Sequence, residues 1–207
     1  MYEDHAAALN TLATAYQQLG QLGPAWRCAQ QALRLTQAHD LPFELVDSYA
    51  RLARLSAEIA ALNPHCVISL GDGFDDDAAA GALEAGVTAG LHAMARGRDW
   101  IWIAGNHDPR PEAAALPGRM VASLPAGPVT LRHHPEAEGP DIAGHFHPVV
   151  RLAGGRRRAL LVGEQHMILP AFGSYTGGLA AEAPAISRWV PGGFAIACMH
   201  RALAVPL

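Results

Sequence analysis

Three short apolar runs, each ending in a glycine that precedes a carboxylate, amide or imidazole, set the tightest limit on what this chain can fold into. Val67-Ile68-Ser69-Leu70 leads into Gly71-Asp72-Gly73-Phe74-Asp75-Asp76. Asp99 to Ala104, DWIWIA, leads into Gly105-Asn106-His107-Asp108, and Asp141-Ile142-Ala143 leads into Gly144-His145-Phe146-His147. Apolar runs of this length bounded by turn residues suit strands buried on both faces, and open α/β sheets take their ligands at the carboxyl ends of such strands. Three such ends can surround one metal site.

The rest of the chain alternates accordingly. Pro42 disfavours helix at Leu41 and can start a new one, and Leu45, Tyr49, Leu52, Leu55, Ile59 and Leu62 give the following segment a helical apolar stripe that Asn63-Pro64 ends. Helix followed by the Cys66 to Leu70 strand is the alternation of an α/β sheet. The Ala-rich stretch from Asp77 to Arg96 reads as a crossover helix. Short strands are expected at Val129 to Arg132, Asp141 to Ala143, Val149 to Leu152, Ala159 to Val162, Met167 to Leu169 and Ala195 to Met199, with Arg156 to Arg158 as a basic turn. Residues 1–40 differ. Leu9, Leu12, Ala13, Tyr16, Ala25, Ala29 and Ala32 resemble one tetratricopeptide-like helical hairpin, and a lone repeat must lean on the rest of the chain or on a partner. The expected division is therefore a hairpin over 1–40 and an α/β domain over 41–207.

Composition excludes several classes. Half of the 207 residues are hydrophobic, enough for one sizeable core or one core with a small appendage. A net charge of -4 argues against a generally basic, nucleic-acid-coating surface and leaves a local groove open. Cys28, Cys66 and Cys198 lack CxxC spacing, so neither a disulfide framework nor a zinc-thiolate site is expected. Glu3, Asp4 and His5 stand where a signal peptide needs positive charge, and no stretch is long enough to span a membrane, so a cytoplasmic setting is expected. The histidines are the compositional clue, since five of the 11 lie between His107 and His147.

Asp72, Asn106, His133, His145 and His147 offer oxygen and imidazole donors without thiolates, which favours a divalent ion such as Mn²⁺, Fe²⁺, Mg²⁺ or Zn²⁺ at a hydrolytic site. Singly, an Asp before Gly is a turn former and a loop His is solvated. A Ser/His/Asp hydrolase is the competing catalytic arrangement, but no G-x-S-x-G elbow occurs and Ser174 lacks that context.

In order, GD, GNHD, an isolated His and GHxH resemble the signature of calcineurin-like metallophosphoesterases. Gly97 to Pro109 (GRDWIWIAGNHDP), Arg132-His133, Gly144 to Pro148 (GHFHP) and Leu169 to Gly178 (LPAFGSYTGG) narrow the resemblance to the ligase-associated DNA-damage-response phosphoesterase family, over about Leu41 to Leu179. The resemblance implies a four-layer α/β/β/α sandwich, two divalent ions (Mn²⁺ foremost), and phosphodiester hydrolysis with DNA as substrate and a DNA ligase and helicase as partners. It implies that Asp72 bridges the ions, that Asn106, His133 and His145 complete one of them, and that His147 belongs to the other. His107 would protonate the leaving oxygen and Asp108 would orient its imidazole. Two departures stand out. The family opens with a strand ending in Asp-x-His, and no D-x-H occurs in this chain, whose helical hairpin stands in that place. Asp75 also stands where relatives carry His, and reads more readily as a helix N-terminal cap. One half-site is thus expected complete and the other damaged, with a non-catalytic partner-binding scaffold or a nucleotide-directed phosphoesterase as the alternatives.

Overall fold

The structure, a computed structural model, describes residues 43–73, 83, 85–108, 116–173, 177–199 and 202–207, with only the backbone described for 43–50. The hairpin expected over 1–40, the Asp75 to Asp77 run and Ser174 lie outside these residues.

The chain divides into two compact units, and the strands β1 (Cys66–Ser69) and β2 (Asp99–Ile103) each begin in the first and end in the second. The first unit holds helices α1 (Phe43–Leu62) and α2 (Ala85–Ala95). Helix α1 ends where expected: Asn63 adopts a left-handed φ of 43°, donates its N–H to the Ile59 carbonyl at 2.8 Å, and Pro64 follows. Leu62, expected on the buried stripe, is 74% exposed because it occupies the last turn, where the helix runs out. In α2, Val87, Leu91 and Met94 fall at steps of four and three and are buried. Gly90 lets the two helices meet closely, since a Cβ there would stand 2.5 Å from Leu52 Cδ2. The Arg98 guanidinium ties the helix ends by donating to Met94 O at 3.1 Å and Asn63 Oδ1 at 3.0 Å.

A three-stranded sheet has the order β1-β2-β3, with β3 (Arg119–Val121) parallel to β2. The central place of β2 explains why Trp100, Ile101, Trp102 and Ile103 are all buried. The expectation of a strand buried on both faces holds for β2 and not for β1, whose Val67, Ile68 and Ser69 are half-buried and which is an edge strand among the described residues.

The second unit carries the larger sheet, in which β4 (Ser123–Ala126), β5 (Val129–Arg132), β6 (Asp141–Ala143), β8 (Gly155–Val162), β9 (His166–Ile168), β10 (Phe194–Ala197) and β11 (Leu203–Pro206) follow the order β11-β10-β8-β9-β6-β5-β4. Strand β7 (Val149–Leu152) pairs with β8 outside this path. The β5-β6 and β6-β9 ladders are parallel. The core of this unit gathers Val150, Ala159, Leu161, Ile168, Ala195 and Ala197 with Ile186 of the short helix α3 (Pro184–Ser187). The basic turn expected at Arg156 to Arg158 is corrected: these arginines lie within β8, and Ala153-Gly154 makes the turn. Strands β3, β4 and β11 were not expected; among the described residues all three are edge strands, where the missing N–H of Pro125 and Pro206 is tolerated. Among the described residues no helix is long and apolar enough to cross a membrane.

Leu161 has no exposed surface and Leu203 is 45% exposed. Urea denaturation of Leu161→Ala is expected to show a loss of about 2–5 kcal/mol, the range for a truncated buried leucine. Leu203→Ala should stay within about 0.5 kcal/mol of the parent.

Candidate metal centre

Two adjacent parallel strands bring the first donors together. The β5-β6 register pairs Arg132 with Ala143, so His133 and the Gly144-His145 turn emerge at the same sheet end. The Gly144 N–H donates to the His133 carbonyl at 3.0 Å. The Phe146 N–H closes back on the Gly144 carbonyl at 2.7 Å, so His145, at φ 56°, is the middle of a three-residue turn.

The His133 ring is anchored from the other side. Its Nδ1 lies 2.8 Å from the Leu70 carbonyl, the last residue before Gly71-Asp72. Gly71 has φ 92°, and a Cβ on it would collide with the His133 ring, so both backbone conformation and space require glycine. Asp72 continues in the left-handed region at φ 50°.

Asp108 fixes that loop. One oxygen accepts the N–H groups of Asp72 and Gly105, each at 2.8 Å, and the other accepts the Gly73 N–H at 2.8 Å. The His107 N–H donates to Asp72 Oδ1 at 3.0 Å. Gly105 is needed for closeness, since a Cβ would run into the Asp72 backbone and carboxylate. Both Asp108 oxygens are thus engaged by backbone amides. Among the described residues the carboxylate makes no hydrogen bond to the His107 imidazole, the partner that the resemblance assigns it.

The convergence is on one atom. A carbonyl only accepts, so His133 Nδ1 carries a proton, and Nε2 is the ring nitrogen turned to the other donors. Around Nε2 stand His145 Nδ1 at 2.9 Å, Asn106 Oδ1 at 3.0 Å and Asp72 Oδ2 at 3.2 Å. With Nε2 deprotonated, as metal binding requires, its lone pair converges with those of the two oxygens and of His145 on one place. This donor set fits a divalent cation, which accepts from all of them. Asp72, His133 and His145 form a candidate metal site whose ligand atoms lie within 4.8 Å of one another. Burial lowers the pKa of His145 below 6.5, with the nearby His133 and His134 acting the same way and Asp72 opposing. His147 is also lowered, first by burial, then by His133 and Arg158 against the raising effect of Asp72. Neutral imidazoles are the form that binds metal.

His147, at φ 49°, stands outside that group of donors, and the His107 side chain is exposed on the loop after β2. Among the described residues, three of the four non-glycine residues with positive φ are Asp72, His145 and His147, a concentration of backbone strain at this one place. Sequence reasoning missed His134, whose ring centroid lies 4.9 Å from that of His145 and 5.0 Å from that of Phe146, both tilted, and 5.6 Å from that of Trp189 edge-on. The His133-His134 pair was visible, but nothing in the spacing tells which imidazole turns to the donors and which to the aromatics. It also missed the buried Asp141, which accepts from the Glu136 N–H at 3.0 Å and lies 2.9 Å from His166 Nδ1.

Two outcomes follow from this geometry. Asp108→Ala removes a charged acceptor from three amides and should cost about 1.5–3 kcal/mol or more in chemical denaturation, with Asp108→Asn losing less. In the metal-free protein, His145 and His147 titrate below their unfolded value, so the unfolded chain binds more protons as pH falls. The stability they contribute is whole above pH 6.5 and is lost as pH falls through their lowered folded values. Thermal melts between about pH 8 and about pH 5.5 should show this fall, and a His145→Gln, His147→Gln double variant should flatten it.

No protein-family model and no curated protein matches the chain. A solved structure does: the nuclease MPE of Pseudomonas putida, at 30% identity and a TM-score of 0.63, covering 77% of this chain and 78% of that one. The mixed α/β architecture described above fits the metallophosphoesterase-type sandwich expected from the sequence. With that identity over that share of both chains, this protein belongs to the family of the Pseudomonas putida nuclease MPE.

Proposed function

We propose that this chain is a divalent-metal-dependent phosphodiesterase that cleaves DNA. The observation that carries the reading is the gathering of Asp72 Oδ2, Asn106 Oδ1 and His145 Nδ1 around His133 Nε2. A bound divalent ion would polarise the phosphate and lower the pKa of water at the site. The chain's own residues do the rest. His133, held as the Nδ1–H tautomer by Leu70 O, and the neutral His145 present lone pairs, while Asp72 supplies the negative charge. Asp108 holds the Asp72 loop so that these donors need no rearrangement. In this reading His107, whose backbone N–H donates to Asp72 and whose side chain is exposed, gives a proton to the leaving oxygen, and no serine or cysteine nucleophile is required.

The second half-site keeps Asp72 and His147 and lacks the Asp-x-His pair, so hydrolysis should be slow. Mn²⁺ is the proposed ion. A role in DNA repair beside a ligase and a helicase rests on the Gly97 to Pro109 and Leu169 to Gly178 segments; copurification of either enzyme with the tagged chain tests it, and absence of both sinks it.

Calorimetric titration with Mn²⁺ is expected to show one ion bound tightly and a second weakly, and bis-p-nitrophenyl phosphate should turn over slowly. His145→Ala should lower both metal affinity and turnover by at least about 10–100-fold, the loss seen when even an outer partner of a metal ligand is removed. Two tight ions with rapid turnover would show that other residues replace the missing pair. No metal binding at all would end the phosphodiesterase reading.

A further inference from the structure

The β7-β8 hairpin carries an arrangement that folding does not explain. Its register sets Arg151 opposite Arg156 and Val149 opposite Arg158, so the three arginines share one face. The other face, with Val150, joins the core. Like charges directly opposite in a ladder are unfavourable, and the exposed Arg151 and Arg156 meet no carboxylate among the described residues. Glu182 lines the same cleft, of about 370 Å³, without pairing to either. Arg158 is turned to the carbonyls of Phe172 and Gly173, to which it donates.

This face is tied to the segment that carries His147. Arg156 donates to the Gly178 carbonyl at 2.6 Å, and Gly178 is packed so closely that a Cβ there would lie 2.6 Å from the His147 carbonyl. Strand β7 itself begins two residues after His147. Phe172, whose carbonyl Arg158 holds, leaves 42% of its surface exposed. Guanidinium groups without a carboxylate partner, as at Arg151 and Arg156, and an exposed aromatic ring such as Phe172 are what a single nucleic-acid strand meets on its binding proteins: phosphates on the cations, bases on the ring.

We propose that the Arg151-Arg156 face holds the phosphate backbone of a single DNA strand as it runs from the metal centre. The proposal rests on the nuclease reading and adds to it the surface that grips the substrate. The test is fluorescence anisotropy of a fluorescein-labelled single-stranded DNA oligonucleotide with the full chain in EDTA, over a salt series. Arg151→Ala is expected to weaken binding several-fold and to reduce the slope of log K against log salt by about 0.7, the value for one phosphate contact on a single strand. Arg156→Ala should do the same, Arg151→Glu should weaken binding further, Arg151→Lys should restore it, and Arg119→Ala, on β3, should leave it unchanged. Because Arg156 also holds Gly178, Arg151 is the decisive position. Parental affinity and slope in both alanine variants would overturn the proposal, as would tighter binding of an acidic polypeptide than of DNA at this face. The two readings fail separately. Slow cleavage with indifference to Arg151 removes the surface and leaves the nuclease, whereas Arg151-dependent binding without any Mn²⁺-supported cleavage keeps the surface and removes the nuclease.

Discussion

The 2.8 Å contact between His133 Nδ1 and the Leu70 carbonyl is the constraint on which the site depends. It joins the end of β1 to the end of β5, and by committing Nδ1 to donation it leaves Nε2 as the ring nitrogen turned to the other donors. Gly71 makes the approach possible, since any side chain would occupy the space of the ring. With His133 fixed, the parallel β5-β6 register delivers His145 to the same point, and the loop after β2 adds Asn106. A change at Gly71 would therefore displace donors contributed by segments far apart in the chain.

Holding such a site has a cost. Left-handed or otherwise sparse backbone conformations at non-glycine residues cost on the order of 1–3 kcal/mol each, and Asp72, His145 and His147 all adopt them. Asp108 offsets part of this through hydrogen bonds from three backbone amides to a charged acceptor, each about 1.5–3 kcal/mol. The sheet offsets more by fixing the strand ends, because β6 pairs on both sides in parallel, with β5 and β9. The strain at His145 and His147 is confined to the turn between the β6 and β7 ladders.

Much of this could be read in the sequence, and the reasons differ from residue to residue. Strands β5, β6 and β7 fall where their β-branched and apolar runs put them, and the stop at Asn63-Pro64 uses signals that act locally. The donors Asp72, Asn106, His133 and His145 were legible because each follows a strand end, and strand ends in parallel sheets meet. What was not legible depends on tertiary partners. Arg156 to Arg158 look like a turn until β7 is paired alongside them, and Pro125 and Pro206 argue against strands until the strands prove to be edges. Asp108 reads as a partner for the neighbouring His107, but the loop that needs its oxygens is 35 and 36 residues away in the chain.

That distance bears on how the centre responds to a cation. A ligand that binds only the folded state stabilises it by about 2.7 kcal/mol when present at a hundred times its Kd. An ion would thus return free energy comparable to the strain of one or two left-handed residues. His133 Nε2, Asn106 Oδ1 and Asp72 Oδ2 are the atoms that an ion would draw on, whereas the amides on Asp108 are satisfied without one. Scaffold and ligands are therefore separate here: the Asp108 bonds keep the loop in place in the metal-free protein, and the donors stand already gathered. His147 lies on the other side of this division. Its turn is held through the Leu179 N–H to Phe146 O bond at 3.3 Å and the Val149 N–H to Leu179 O bond at 2.9 Å, the segment that Arg156 also grips. A strand bound along the arginine face would act on that segment first, and through it on His147 before the four gathered donors.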